Sequence, residues 1–315
     1  MSERKVSIVI NVYNEEENIR DCLDSLAKQS YTDFELIIVD DGSTDDTMDI
    51  VKHYSEIFEM KTYHTPHVGI KKARSKGIDE TTGDYIIVID ADEILEHDFI
   101  EKIIEPLKAD KVGAVGGVLK SEGEGWVTIG YAVLNEIFYE LRAEDREVDW
   151  IQGGCSAYKR EALEDVGGLA KEKVSADKDI SWKLSKNGWK VLINKNAVAY
   201  HRDPQTVKSV MKREYNIGRR ERALLSEHKD KVSWKEISRF YPYGFFLFLA
   251  LSFFLSPFVY IFLAAIFLTI ITVGYLISKY TDRSGAKNLL PSWIVLTLIN
   301  LAWSSGLIVS LFSKD

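Results

Sequence analysis

Three stretches of this chain, VSIVINV from Val6, FELIIVDD from Phe34 and DYIIVIDADE from Asp84, run apolar and β-branched and then stop on polar or acidic residues. Apolar residues at consecutive positions, rather than alternate ones, suit strands buried on both faces, as in a parallel sheet covered by helices. Between the strands the period changes. Asn14 opens a helix-like segment in which Glu15 to Glu17 favour the positive end of the helix dipole and Ile19, Leu23 and Leu26 form an apolar stripe. Ser43 and Asp46 have the spacing of a capping box, predicting a second helix to about Tyr54. A strand near Met60 to His64 and a helix from about Gly69 to Asp79 continue the alternation. This order predicts an α/β layered domain with a mostly parallel, Rossmann-like sheet.

In such sheets ligands bind beyond the carboxyl ends of the strands, so Asp40-Asp41 and Asp90-Ala91-Asp92 should converge on one crevice. Asp90, Asp92 and Glu93 repel one another and call for a positive partner. Carboxylates at a strand end suit a hard cation, Mg²⁺ or Mn²⁺, which also recruits phosphate oxygens of a substrate. For Asp40-Asp41-Gly42-Ser43 a turn and helix cap is the competing account.

The chain falls into two parts. Charges are frequent up to about Lys235, whereas Phe240 to Ile277 contains no Lys, Arg, Asp or Glu. A membrane-spanning helix needs about 20 apolar residues, so this stretch predicts two spans, at about 240–256 and 258–277, turning near Ser256-Pro257. Leu289 to Phe312 predicts a third, at about 290–312. The loop between, with Lys279, Arg283 and Lys287 against Asp282, is of the kind enriched on the cytoplasmic side. The beginning MSERKVSIVI is too charged for a cleaved signal peptide, so the expectation is a multi-pass membrane protein with a cytoplasmic body. Two cysteines, Cys22 and Cys155, have no metal or redox spacing and read as reduced packing residues. A net charge of -8 leaves no global basic surface for nucleic acid. Lys208, Lys212, Arg213, Arg219, Arg220 and Arg222 nevertheless cluster before the membrane stretch, where attraction to anionic lipid headgroups is the simplest account.

The segments SIVINVYNEEENI, LIIVDDGSTDDT, GDYIIVIDADE, QGGCSAYKREALEDVGGL and DKDISWKLSKNGWKV, in this order over residues 5–225, resemble the successive motifs of family 2 glycosyltransferases with a GT-A fold. The resemblance implies a catalytic domain over about 1–235, with a basic juxtamembrane segment over about 205–235, followed by a membrane domain over 240–312. It implies that Asp41, with Asp40 beside it and Val12 lining the pocket, binds the base of a nucleotide sugar. Asp90 then reaches the ribose and Asp92 binds the metal. A late His after the last strand, here His201, is an acceptable further ligand for Mn²⁺, with an ordinary surface His as the alternative. The family's catalytic base is the Asp of a Glu-Asp-X-Asp motif. Here the text is Ala176-Asp177-Lys178-Asp179, so Asp177 holds the base position while Ala replaces the Glu before it. First-turn acids favoured by the helix dipole are the alternative for Asp177 and Asp179.

Gln152, Gly153 and Gly154 resemble an acceptor-side loop, and Trp182 could stack on a sugar or be core. Lys212, Arg219 and Arg220 lie where membrane-bound relatives place basic residues near the diphosphate, or could hold a lipid phosphate. The implied activity is an inverting, metal-dependent transfer from a nucleotide diphosphate sugar to the hydroxyl of a polyprenyl-linked saccharide. UDP is favoured over GDP by an acid at position 41. A polyprenyl (dolichyl) phosphate sugar synthase is the alternative, although an ionised phosphate acceptor needs no base. A processive synthase would normally show a Gln-X-X-Arg-Trp motif, absent here. From another class, a membrane-anchored nucleotide-sugar-binding protein without catalysis is compatible with Ala176. Glu93 has no role in any of these readings.

Overall fold

The computed structural model describes residues 5–123, 125–143, 147–168, 176–203, 205–228, 256–280 and 286–312. The chain divides into two compact units, one comprising Met1–Lys120, Arg142–Glu172 and Ala176–Arg202, the other Ser121–Leu141, Lys173–Ser175 and Asp203–Asp315.

The first unit is built on the strands anticipated above. β1 (Val6–Val12) is buried along its whole length and pairs in parallel with β2 (Phe34–Asp40) on one side and β4 (Tyr85–Asp90) on the other. β3 (Met60–His64) pairs in parallel outside β2. The helices α1 (Ile19–Ala27), α2 (Thr47–His53) and α3 (Ile70–Asp79) connect these strands. α3 lies close to the sheet because Gly77 presents no side chain; a Cβ there would run into Val9 and Val39. Ile8, Ile10, Leu23, Ile38, Ile87 and Phe99 form the middle of the core.

Beyond β4 the sheet changes direction. β5 (Glu93–Leu95), β6 (Val112–Glu122), β7 (Ser156–Lys159) and β8 (Lys190–Arg202) complete an eight-stranded sheet of order β3-β2-β1-β4-β7-β6-β8-β5. β4 with β7, β6 with β7, and β5 with β8 are antiparallel. The sheet is therefore mixed, and the expected parallel arrangement holds for β3-β2-β1-β4. α4 (Phe99–Ile104), α6 (Arg160–Asp165) and α7 (Ala176–Lys186) belong to this half. At the opposite end of β1 from the acids, Glu35 accepts hydrogen bonds from Ser7 Oγ at 2.6 Å, Thr82 N at 2.5 Å and Thr82 Oγ1 at 2.9 Å. Burial works against this carboxylate, but those bonds and Lys61 outweigh it and hold its pKa at about 2.

Two local expectations need correction. Asn14 does not begin α1: it stands at φ 54° in a turn, and the helix begins at Ile19. Ser43 and Asp46 form no capping box. Ser43 instead donates its N–H to Asp40 Oδ1 at 2.9 Å and its Oγ accepts from Asn14 N at 3.0 Å, while α2 starts at Thr47. The polar residues that looked like a cap tie two strand ends together.

The second unit contains α5 (Trp126–Ala143), α8 (Val207–Glu227), α9 (Ser256–Tyr280) and α10 (Ala286–Phe312). Val127 and Tyr131 of α5 pack with Val210 of α8 and Val295 of α10. Val133 and Ile137 pack with Val273 and Ile277 of α9. Thr206 caps α8 by accepting from Ser209 N at 3.1 Å, and Ser209 answers with a bond from Thr206 N at 3.2 Å. Inside this unit Asp203 draws Ser121, Asn135 and Arg213 together, and Tyr131 donates to Glu214 at 3.1 Å. The expectation of three membrane spans finds no support here: among the described residues no helix is long and apolar enough to cross a membrane. Residues 240–255, where the first span was placed, lie outside the described residues.

Candidate active site

The parallel register sets the site. Val12 stands opposite Asp40 and Asn11 opposite Asp90, so both acid pairs emerge at one edge of the sheet on either side of β1. With β1 alone between them, β2 and β4 stand two inter-strand spacings apart, about 10 Å, a span suited to a nucleotide.

On the β2 side, Asp40 is buried and its Oδ2 meets His64 Nδ1 at 2.9 Å. Burial by itself would raise the Asp40 carboxyl, but the Ser43 bonds and His64 outweigh it and hold the pKa below its ordinary value. Asp41 is equally buried and gathers the loop that follows β3: Thr65 Oγ1 at 2.7 Å and Val68 N at 2.7 Å reach Oδ1, and Gly69 N at 2.8 Å reaches Oδ2. Gly69 adopts φ 90°, a conformation that glycine enters without steric cost. The side chain of Val12 is 1% exposed and packs into the core, so it borders the crevice from below. Tyr13, just beyond it, lies against His67 with ring centroids 4.3 Å apart.

On the β4 side, Arg74 of α3 reaches Asp90 Oδ1 at 2.6 Å through Nη2 and Asp177 Oδ1 at 3.4 Å through Nη1. Arg74 is 7% exposed. Its guanidinium thus joins the anticipated ribose contact to the anticipated base, which lie far apart in sequence. Burial pushes the Asp177 carboxyl above its ordinary pKa, Arg74 pulls it down, and Asp90 raises it further. Gly153 and Gly154 are needed for this closeness. A Cβ on Gly153 would collide with Asp177 Oδ1 and Arg74 Nη1, and one on Gly154 with the carboxylates of Glu93 and Asp90.

Asp92 follows β4, and its Oδ2 lies 3.0 Å from His201 Nε2. That proximity arises from the β5 to β8 ladder, in which Glu93 stands opposite His201. An imidazole nitrogen and a carboxylate oxygen are a mixed donor pair suited to Mn²⁺ or another divalent cation. Among the described residues no group of three or more His, Cys, Asp or Glu is placed to hold a metal by itself. Asp92 and His201 would supply two of the ligands of such a cation.

Glu93, the acid without an assigned role, is 1% exposed. Its Oε2 accepts from Asp90 N at 3.2 Å and from Cys155 N at 3.0 Å. Burial, followed by Asp90 and Asp92, pushes its pKa well above the ordinary value. Glu15 is a further acid that sequence reading placed only in a helix dipole. Burial raises its carboxyl, the Asn18 amide opposes that, and Asp92 and Asp90 raise it again, so it faces the same cluster. Cys22 and Cys155 are buried free thiols whose pKa values burial raises well up, as expected of packing residues.

Several expected residues behave differently. Trp182 is 6% exposed, so its ring is core and offers no open face to a sugar, which corrects the stacking expectation. Asp179 is fully buried and pairs with Lys183 at 2.7 Å, a structural use. Gln152 is half-buried beside the two glycines. Lys212 and Arg219 are exposed on α8 in the second unit, and the Arg220 side chain lies outside the described residues. Arg74 was missed because Lys71, Lys72 and Lys76 surround it and make α3 look like a solvated basic face. The available signal was Gly77, one turn later on the same face, which marks the side of α3 that meets the sheet.

The model of Glycosyl transferase family 2 matches residues 7–167, about half of the chain. Poly-beta-1,6-N-acetyl-D-glucosamine synthase of Staphylococcus epidermidis is 27% identical over 214 residues, covering 66% of this chain and 52% of that protein. The chain thus spans about half the length of that relative. Glycosyltransferase GlyA of Streptococcus pneumoniae is 33% identical over 141 residues, covering 43% of this chain and 20% of that protein. Among solved structures, mannosyltransferase PcManGT from Pyrobaculum calidifontis in complex with GDP-Man and Mn²⁺ is similar over 100% of this chain and 89% of its own, with TM-score 0.67 and 19% identity. S. aureus TarS 1-349 in complex with UDP-GlcNAc follows at TM-score 0.51 and 18% identity, over 92% of this chain and 90% of its own. At such identities the likeness concerns the fold, a mixed α/β sheet of the GT-A kind. With its strand-end acids and the family match together, the chain belongs to glycosyl transferase family 2.

Proposed function

We propose that this chain transfers a sugar, with inversion, from a nucleotide diphosphate sugar to a hydroxyl of a membrane-held polyprenyl-linked saccharide. The observation that carries the reading is the bridge from Asp90 through Arg74 to Asp177, which holds a carboxylate with raised pKa beside the donor edge. In the proposed reaction Asp177 takes the acceptor's hydroxyl proton as its oxygen bonds to the anomeric carbon. The bond from that carbon to the diphosphate breaks, and the electron pair leaves with the nucleoside diphosphate. A poised base needs a pKa nearer the working pH than an ordinary Asp, and burial supplies that shift. Arg74 favours the charged form of Asp177 and aims it. Asp92 and His201 would hold a divalent cation, Mn²⁺ or Mg²⁺, which when bound would neutralise diphosphate charge. The base side falls to Asp40, Asp41 and the loop at 64–69, with UDP as the favoured nucleotide and GDP as the other. Val12 supports this pocket, and Gln152, Gly153 and Gly154 form the acceptor side.

Membrane attachment is part of the reading. It is supported by the uncharged sequence from Phe240 to Ile277 and by Phe267, Leu268, Ile271 and Tyr275, which leave large apolar surfaces exposed along α9. Lys212 and Arg219 would then face anionic headgroups or the lipid-linked phosphate, with the catalytic unit on the cytoplasmic side. A polymer-forming reaction is the second reading, favoured by relatives named poly-beta-1,6-N-acetyl-D-glucosamine synthase.

Membranes carrying the full chain, incubated with labelled UDP- or GDP-sugars and Mn²⁺, are expected to yield lipid-extractable label. Asp177→Asn should lower that label by about 10²- to 10⁴-fold. Label equal to wild type would refute the base assignment. Label confined to high-mass polymer would establish the second reading. Binding of a nucleotide sugar without any transfer would favour a binding protein.

A further inference from the structure

Glu93 is an expensive residue. Its Oε1 is buried with no hydrogen-bond partner among the described residues, while its Oε2 collects two backbone N–H groups. Leaving a buried polar atom unmatched costs stability, and an apolar side chain on β5 would avoid that cost. The two amides belong to different parts of the site. Asp90 N begins the acidic turn that presents Asp90 and Asp92, and Cys155 N ends the Gly153-Gly154 loop. That loop in turn hydrogen-bonds Asp177 through the Gly153 backbone. Cys155 stands at φ 50°, and the neighbouring Gly154 admits no Cβ because Glu93 and Asp90 fill the space. Glu93 itself is fixed by β5, where it stands opposite His201.

We propose that Glu93 is a positioning residue, a latch that sets the Gly153–Cys155 loop against the Asp90–Asp92 turn and so aligns Asp177 with the donor edge. The β4–β7 ladder ends where Val88 stands opposite Ser156, and one carboxyl oxygen bound by both segments carries their separation, to within a hydrogen-bond length, past that last backbone pair. Glu93 touches no reacting atom in this account. The role rests on the transferase reading above, but the latch itself can be measured without turnover.

The test uses the full chain, wild type and with Glu93→Ala, Glu93→Gln and Gly154→Ala. Hydrogen exchange followed by mass spectrometry reads the Asp90 and Cys155 amides directly. Glu93→Ala is expected to speed exchange at both amides by at least about 10-fold, since each loses its acceptor. Glu93→Gln keeps a carbonyl acceptor and should restore protection. Gly154→Ala breaks the latch from the other side and should reproduce the alanine pattern even if Glu93→Ala fails to fold. UDP with Mn²⁺ should bind the Ala variant within about 3-fold of wild type, while sugar transfer falls by about 10- to 100-fold and recovers with Gln. Unchanged exchange in Glu93→Ala or Gly154→Ala would overturn the latch. A Gln variant as impaired as Ala in transfer would overturn it too, because charge would then be what matters. If the wild type transfers no sugar while amide protection follows the expected pattern, the transferase reading fails and the latch stands.

Discussion

Replacing Arg74 by Met tests the centre of the site with two independent readouts. The substitution keeps most of the side chain's volume and removes the cation that lies 2.6 Å from Asp90 and 3.4 Å from Asp177. Breaking a fully buried pair costs about 3–5 kcal/mol because an uncompensated charge stays behind. Here the side chains left behind are 32% and 35% exposed, so water can solvate them in part. The expected loss is therefore smaller, about 2 kcal/mol near neutral pH. The second readout is the sign of the pH dependence. Asp177 has a folded pKa above its unfolded value, so the folded state binds the proton more tightly and this group favours the fold at low pH. Its contribution disappears as pH rises from the unfolded to the folded pKa. Arg74 is the strongest influence lowering that pKa; without it the window widens upward. Denaturant unfolding of wild type and Arg74→Met at several pH values from about 4 to 8 should show the deficit shrinking as pH falls. A variant within about 0.5 kcal/mol of wild type at every pH would refute the bridge. A deficit that grows on acidification would refute the sign.

Two further outcomes are expected. Glu35→Gln should lose about 2 kcal/mol near neutral pH, because a carboxylate held at about 2 stabilises the fold above its unfolded pKa and that stability vanishes as pH falls through the folded value. A deficit that persists at low pH in urea melts would show that packing, not charge, is responsible. His201→Ala should abolish the extra thermal stabilisation that Mn²⁺ gives to UDP binding while leaving any metal-free UDP shift in place. An undiminished Mn²⁺ increment would remove His201 from the cation site.

The parallel half of the sheet was legible because its strands are buried on both faces and their β-branched runs end on acids that register places side by side. The antiparallel half was not. β5 is three residues long and β7 four, too short for a period to show, and their pairing follows from contacts distant in sequence. Asp90, Asp92, Asp177 and His201 were singled out from motif order, and the structure brings Asp90 to Asp177 through Arg74 and Asp92 to His201. Arg74 could not, since a buried arginine among surface lysines has no local signature. Glu93 was visible but unexplained, because its partners are backbone amides and backbone amides leave no trace in composition. Ser43 misled for the opposite reason: Ser, Asp and Thr after a strand serve caps and turns alike.

The manner in which Asp41 holds the loop after β3 bears on how donor preference could change over time. Of its three donors, two are the main-chain N–H groups of Val68 and Gly69; the first needs only a residue other than proline, while φ 90° keeps the second for glycine. The loop's path is therefore independent of most of its side chains, and His64 and His67 stand largely open to solvent. Residues at these positions can be exchanged while the scaffold beneath keeps its shape. By contrast, the Asp92 and His201 edge is stitched into a ladder and the glycine floor admits no added atom. Under the proposed function, a lineage built this way can explore new nucleotides along one rim of the crevice while the chemistry along the other stays frozen.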